Sequence, residues 1–358
     1  MRLLHITTSL HTGGAETLIV NLMPRFKALG YEVGVVVFNA ERTPLMERLE
    51  KECPECEIYC LGHSYYNPWY IVKLIRIMRH YDIIHTHNSS PQLFAAIANI
   101  FCRKKLVTTE HSTNNRKREK GGIFCLVDKW MYRRHNNVIC ISEIAEKKLR
   151  EYLGNTDGQH VCTINNGVDV EMFHKAEPLP ELKSEKFVAV MVAGFREAKD
   201  QDTLIRAMSL LPKEQYELWL VGDGVRRGEL HNLVRDLNLQ GYVKFLGLRT
   251  DVPNVLKSAD VVVMSSHWEG LSLSNVEGMS VGKPFVASDV NGLREVTKDY
   301  GILFPHEDEK ALAEIIIKLH DDKYHYKQVA NKCYERALQF DIKTMVEAYN
   351  NIYLSLKQ

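Results

Sequence analysis

From Val261 to Glu277 the chain reads VVVMSSHWEGLSLSNVE. A β-branched run, Val261 to Met264, gives way to a polar turn and then to a helix start, the way a buried parallel strand hands over to its crossover helix. Gly270, Leu271 and Ser272 fall in the turn, where free backbone N–H groups at a helix start can take an anion such as phosphate. Glu269 and Glu277 stand eight positions apart around it. Ser274-x-x-Glu277 also spells a capping box, in which the glutamate bonds the N-cap amide. Capping leaves Glu269, ahead of the glycine, without a structural task.

The same unit recurs outward from this stretch. Strands are predicted at 3–6, 32–38, 82–85, 106–108, 138–141 and 161–164, and a second series at 187–192, 217–221, 243–246, 261–264, 285–287 and 302–304. Between the first two strands Leu18, Ile19, Leu22, Met23, Phe26 and Leu29 recur at helical spacing, and Gly30 supplies a stop. Strands alternating with helices define the α/β class and parallel sheets. The stretch KAEPLPELKSE after His174 has neither period and reads as a connection between two domains.

With 358 residues the chain can bury two cores. Lys plus Arg is 46 against 45 for Asp plus Glu, so no global field draws it to nucleic acid. Eight cysteines are too few for a disulfide framework, and the first residues lack the pattern of a signal peptide. The expectation is a cytoplasmic protein. No apolar stretch approaches the roughly 20 residues of a spanning helix. Cys53, Cys56 and Cys60 begin a zinc-like spacing, but no second ligand pair follows.

Four further places carry chemistry. Gly13 and Gly14 open the first helix after the first strand, which suits either a tight turn or a phosphate clamp, without the spacing of a dinucleotide fingerprint or a P-loop. Arg196 and Lys199 follow the first strand of the second series, where ligands of open α/β sheets gather; they read as diphosphate cations or as solvated surface charges. Asp200-Gln-Asp202 matches a short metal-binding pattern, but Asp202 stands where it would cap the helix that follows, so no metal is assigned there. His85 and His87, at the end of the strand at 82–85, stay open as candidates, strand alternation being taken to send one to the core and the other to the cleft. The basic segment 116–134 interleaves Ile123, Phe124, Leu126, Val127, Trp130 and Met131; it suits a membrane surface carrying a lipid-linked acceptor, or an amphipathic helix packed on its own domain.

The Glu269 to Glu277 segment is similar to the signature of retaining glycosyltransferases of family 4. The resemblance extends along most of the chain, through Gly13-Gly14-Ala15-Glu16, the DIIHTHN stretch from Asp82 to Asn88, Thr109-Glu110-His111, Asn166-Gly167-Val168-Asp169, Leu220 to Gly224, Asp251-Val252-Pro253, Ser258-Ala259-Asp260 and Gly282-Lys283-Pro284 to Glu295. It implies the GT-B fold: two facing Rossmann-like domains with a cleft between them, an acceptor domain at 1–172 to which a final helix at 339–358 returns, and a donor domain at 173–338. It also implies a retaining, metal-independent transfer of a hexose or N-acetylhexosamine from a nucleoside-diphosphate sugar, with UDP the commonest nucleotide, to a saccharide or lipid-linked acceptor in surface polysaccharide or glycan biosynthesis. By the same resemblance Arg196 and Lys199 meet the diphosphate, Glu277 the ribose, Glu269 the donor sugar, and His111 reaches the reacting sugar. One departure stands out: the family often carries Arg five positions before this Lys, and here Gly194 holds that place. A sugar-nucleotide epimerase or a phosphorylase on the same fold, and a noncatalytic sugar-nucleotide-binding protein, are the alternatives. No cofactor is implied, and contact with the inner face of a membrane is the localisation that the basic segment adds.

Overall fold

The computed structural model describes residues 1–11, 13–111, 122–154, 160–269 and 273–357. The chain divides into two compact units, Met1–Asn166 with Lys343–Gln358, and Gly167–Ile342.

Among the described residues, the first unit holds a seven-stranded sheet of β1 (Arg2–Thr7), β2 (Glu32–Asn39), β3 (Glu57–Gly62), β4 (Ile83–His87), β5 (Lys105–Glu110), β6 (Asn137–Cys140) and β7 (His160–Thr163). Their order is β3-β2-β1-β4-β5-β6-β7, and each pairing is parallel. Parallel strands covered on both faces must be apolar throughout, and Val33, Val35, Val36 and Val37 of β2 are all buried. Helix Gly14–Ala28 buries Leu18, Ile19, Leu22, Met23 and Phe26, the spacing read from the sequence, and Gly30 follows it at φ 84°. β3 was not foreseen. It is an edge strand on which Glu57 and Cys60 stay exposed, so its apolar signal is weak.

The second unit holds β8 (Phe187–Val192), β9 (Tyr216–Val221), β10 (Val243–Gly247), β11 (Val261–Met264), β12 (Phe285–Ser288) and β13 (Ile302–Phe304). Their order is β10-β9-β8-β11-β12-β13, again parallel. Trp219 of β9 is fully buried in its core with Val190, Leu204, Val263 and Phe285. Gly222, after β9, sits at φ 139° against the Ala193 carbonyl, where any Cβ would displace the loop that follows β8.

Two details of domain assignment differ from the sequence expectation. Residues 167–172 belong with the second unit, because Val168 and Val170 enter its core. Val168 also bridges to Asp341: its N–H donates to the Phe340 carbonyl at 2.9 Å, and Ile342 N–H donates to the Val168 carbonyl at 2.9 Å. This holds residues 339–342 in the second unit. Helix Ile342–Ser355 then packs on the first unit through Tyr349 and Tyr353, both fully buried. Tyr353 Oη lies 2.5 Å from His85 Nδ1, and Tyr349 Oη 3.3 Å from Thr109 Oγ1.

Candidate functional site

In each sheet the chain winds outward in both directions from one pair of central strands, β1 and β4 in the first unit, β8 and β11 in the second. The loops leaving the carboxyl ends of such a pair diverge and open a crevice, the place where ligands bind in open α/β sheets.

In the second unit the described parts of these loops are 193–200 and 265–269. The first turns through a short 3-10 segment, Glu197–Lys199, and ends at Asp200, which takes a left-handed φ of 43° and accepts the Thr203 N–H at 3.2 Å as cap of helix Gln201–Ser209. The cap is therefore Asp200 and not Asp202. Asp202 is gripped by both arms of Arg226, at 2.6 and 3.0 Å, which draws its carboxyl below the usual range even as burial opposes. The turn aims Lys199 across the loop pair: its Nζ forms an ion pair with Glu269, and the Ser266 hydroxyl donates to the same carboxylate at 3.1 Å. Both side chains are mostly enclosed, 21% and 11% exposed, so the pair is shielded from bulk water. Arg196 begins the same turn but is exposed, and it has no carboxylate partner among the described residues.

Helix Leu273–Ser280 starts one residue before Ser274, so Ser274 lies inside the helix and cannot be its N-cap. The capping-box reading of Glu277 fails for that reason. The Glu277 carboxylate is half-buried, has no hydrogen-bond partner among the described residues, and is pushed up to about 7 by burial. Asn275 on the same helix is fully buried with neither end of its amide bonded. Sequence reasoning passed over it; a polar residue between Leu273 and Val276 was the available signal. Gly270, Leu271 and Ser272 lie outside the described residues.

In the first unit, Gly13 precedes helix Gly14–Ala28, and a Cβ on it would fall on the Glu16 carboxylate; nothing lies within 4 Å of the place a Gly14 Cβ would take. The helix N-terminus has no side-chain cap, which leaves its first amides available. Asn88, after β4, donates to Thr8 Oγ1 at 3.1 Å and Glu16 Oε1 at 3.4 Å, tying the β1 and β4 loops together. His111, after β5, sits with Nε2 2.9 Å from His87 Nδ1, and His87 Nε2 lies 2.9 Å from His5 Nδ1. Burial holds His111 down at about 4 and His5 at about 3, so this chain of imidazoles is neutral near pH 7. The expected split of His85 and His87 is corrected here. Residues two apart on a strand share a face, and both rings are buried and stacked, with centroids 4.5 Å apart.

Of the basic segment, residues 116–121 lie outside the described residues. Helix Gly122–Arg133 buries Met131 and Tyr132 against the unit but leaves Ile123, Phe124, Leu126 and Val127 exposed. Cys53 and Cys56 are buried thiols, the latter pushed up to about 12 by burial, while Cys60 is exposed on β3. No described helix is long and apolar enough to cross a membrane.

Two parallel sheets of this strand order, each with charged or imidazole groups at its switch point, define a doubly wound α/β protein whose ligand crevices lie at the carboxyl ends of those strands. Residues 174–339 match the model of "Glycosyl transferases group 1", and residues 12–172 that of "Glycosyltransferase Family 4". The chain belongs to the group 1 glycosyltransferases and has the GT-B fold. Among its relatives is an Escherichia coli UDP-Gal:alpha-D-GlcNAc-diphosphoundecaprenol alpha-1,3-galactosyltransferase, 28% identical over 80% of this chain and 79% of that one. A Campylobacter jejuni N-acetylgalactosamine-N,N'-diacetylbacillosaminyl-diphospho-undecaprenol 4-alpha-N-acetylgalactosaminyltransferase is 26% identical over 93% and 94%. The crystal structure of Anabaena HepE in complex with UDP superposes with a TM-score of 0.82 at 24% identity, over 99% of this chain and all of that one.

Proposed function

We propose that this glycosyltransferase moves a hexose or N-acetylhexosamine from a nucleoside-diphosphate sugar, with UDP the nucleotide, to a saccharide or lipid-linked acceptor, retaining the anomeric configuration and using no metal in the transfer. The observation that carries the reading is the Lys199–Glu269 pair at the β8/β11 switch point, with Glu277 on the following helix left without a hydrogen-bond partner among the described residues. The names of the two relatives support it, since both end on a diphosphoundecaprenol acceptor and one begins with UDP-Gal.

The paired ions explain how such a site works. An entering diphosphate competes for the Lys199 ammonium, and the Glu269 carboxylate released from it accepts hydrogen bonds from hydroxyls of the donor sugar. Arg196 adds the second cation, and the backbone around Gly270, Leu271 and Ser272 adds amide donors. As the glycosidic bond opens toward an oxocarbenium-like transition state, negative charge grows on the leaving diphosphate and these groups offset it. Glu277 takes the ribose hydroxyls. Gly13 and Gly14 give the donor phosphates a close approach to the first helix. His111, neutral and held by His87, is assigned to the reacting sugar. The first unit takes the acceptor, and the donor goes mainly to the second. The exposed apolar row of helix Gly122–Arg133 is assigned to the inner face of the cytoplasmic membrane, where a lipid-linked acceptor would lie.

The test is a panel of nucleoside-diphosphate sugars with the purified protein, following thermal stabilisation and donor hydrolysis, then NMR of the product's anomeric centre. A ligand that binds only the folded state raises its melting temperature. Failure of every UDP-sugar to stabilise or turn over would overturn the donor assignment, and an inverted product the mechanism.

A further inference from the structure

A second constellation lies in the same unit, outside the groups assigned to transfer. His267 Nδ1 is 2.9 Å from His306 Nε2 and 3.2 Å from Glu307 Oε1, and the last two atoms are 3.8 Å apart. Three nitrogen and oxygen atoms thus face one another across a small triangle. A tetrahedral Zn²⁺ with bonds of about 2.0–2.1 Å separates its ligand atoms by about 3.3–3.4 Å. The three sides average 3.3 Å, close to that spacing. The other ring nitrogen, His267 Nε2, lies 3.8 Å from Asp200 Oδ1, an ion-pair distance longer than a hydrogen bond, which sets a carboxylate behind the ring where one orients a metal-bound histidine. Asp200 is 2% exposed, and while its Oδ1 caps the helix, its Oδ2 is buried without a hydrogen-bond partner among the described residues, an acceptor left unmet at the site.

The surroundings favour a cation. A cavity of about 880 Å³ is lined by Asp200, His267 and Glu307, and among its described lining residues six carboxylates stand against two guanidinium groups. It leaves room for a water at the fourth position of the ion.

We propose that His267, His306 and Glu307 bind one Zn²⁺-class cation, with Asp200 orienting His267 from behind. The ion ties the loop after β13 to the loop after β11. Asp200 follows Lys199 directly and His267 stands two residues before Glu269, so the tie steadies both arms of the Lys199–Glu269 pair without touching the sugar or the diphosphate. Asp202 takes no part, since Arg226 holds it.

Full-length protein freed of metal with a chelator is titrated with Zn²⁺ alone by calorimetry and with Co²⁺ alone by visible absorption. One ion per chain, a higher melting temperature on binding, and tetrahedral Co²⁺ bands without a thiolate charge-transfer band are expected. His306→Ala and, independently, Glu307→Gln should each weaken binding at least tenfold; both side chains are partly exposed, so the metal-free melting temperature should hold. Asp200→Asn, which can still cap the helix, should weaken binding about tenfold. No saturable binding, wild-type affinity in both His306→Ala and Glu307→Gln, or a thiolate band marking capture at Cys53 and Cys56 would overturn the site. The readout is metal binding, so it stands or falls apart from the donor assignment.

Discussion

Replacing Glu277 with Gln separates a cost in stability from a gain in binding at a single side chain. Burial lifts this carboxyl from 4.5 to about 7. At about 1.4 kcal/mol per pH unit that is roughly 3 kcal/mol, and solvent reaching a half-buried side chain reduces it to about 2 kcal/mol. The sign follows from which state ionises first. As pH rises from about 4.5 the unfolded chain loses this proton while the folded one keeps it, so stability present below 4.5 is lost progressively up to about 7 and changes no further above. Gln carries no such charge. The variant should therefore match the wild type at pH 4.5 and exceed it by about 2 kcal/mol at pH 8. Donor binding should move the other way: a neutral acceptor replaces a charged one, and affinity at pH 8 should fall about ten- to thirtyfold, or roughly 1–2 kcal/mol. Wild-type donor affinity should also weaken as pH drops through 7, and the variant's should not. Melting curves at both pH values and calorimetric titration with UDP read the two effects. Equal melting temperatures at pH 8 would refute the buried-charge argument, and unchanged UDP affinity would refute the ribose assignment.

Lys199→Ala should cut turnover at saturating donor by about two to three orders of magnitude, measured by release of nucleoside diphosphate; near-normal turnover would remove it from the mechanism. Arg196→Ala should raise the donor dissociation constant about tenfold with no change in melting temperature, because the exposed side chain holds nothing in place; an unchanged constant would leave the diphosphate to Lys199 alone. EDTA should leave transfer running, since Asp202 is committed to Arg226 and the ion proposed at His267, His306 and Glu307 touches neither sugar nor diphosphate; complete loss restored by Mg²⁺ or Mn²⁺ would contradict a metal-free mechanism. Phe124→Asp with Leu126→Asp should abolish sedimentation with vesicles containing anionic lipid, and unaltered binding would move any membrane contact elsewhere.

Local patterns carried most of the fold. β1, β2, β8 and β11 were legible because continuous β-branched runs leave few alternatives, whereas β3 hid behind the Cys53–Cys60 spacing and its own exposed face. Lys199 and Glu269 were each singled out, but their pairing spans 70 positions and depends on β8 and β11 being neighbours, which no local spacing reveals. Ser274 misled for a physical reason: Ser-x-x-Glu is a helix start only when the helix begins there, and it begins earlier. The His85 and His87 error was avoidable from strand geometry alone. The contacts of His85 with Thr109 and Tyr353 were not, since one partner comes from the far end of the chain.

That last contact bears on synthesis. The second unit is one unbroken stretch, Gly167–Ile342, so it can complete its sheet as soon as that stretch is free of the ribosome. The first unit begins earlier and finishes later. Its β1, β4 and β5 are made first, yet the slots beside His85, Thr109 and Phe26 stay open until Tyr349 and Tyr353 arrive. A released chain truncated before Tyr349 should carry a protease-resistant second half beside a first half that is still digestible.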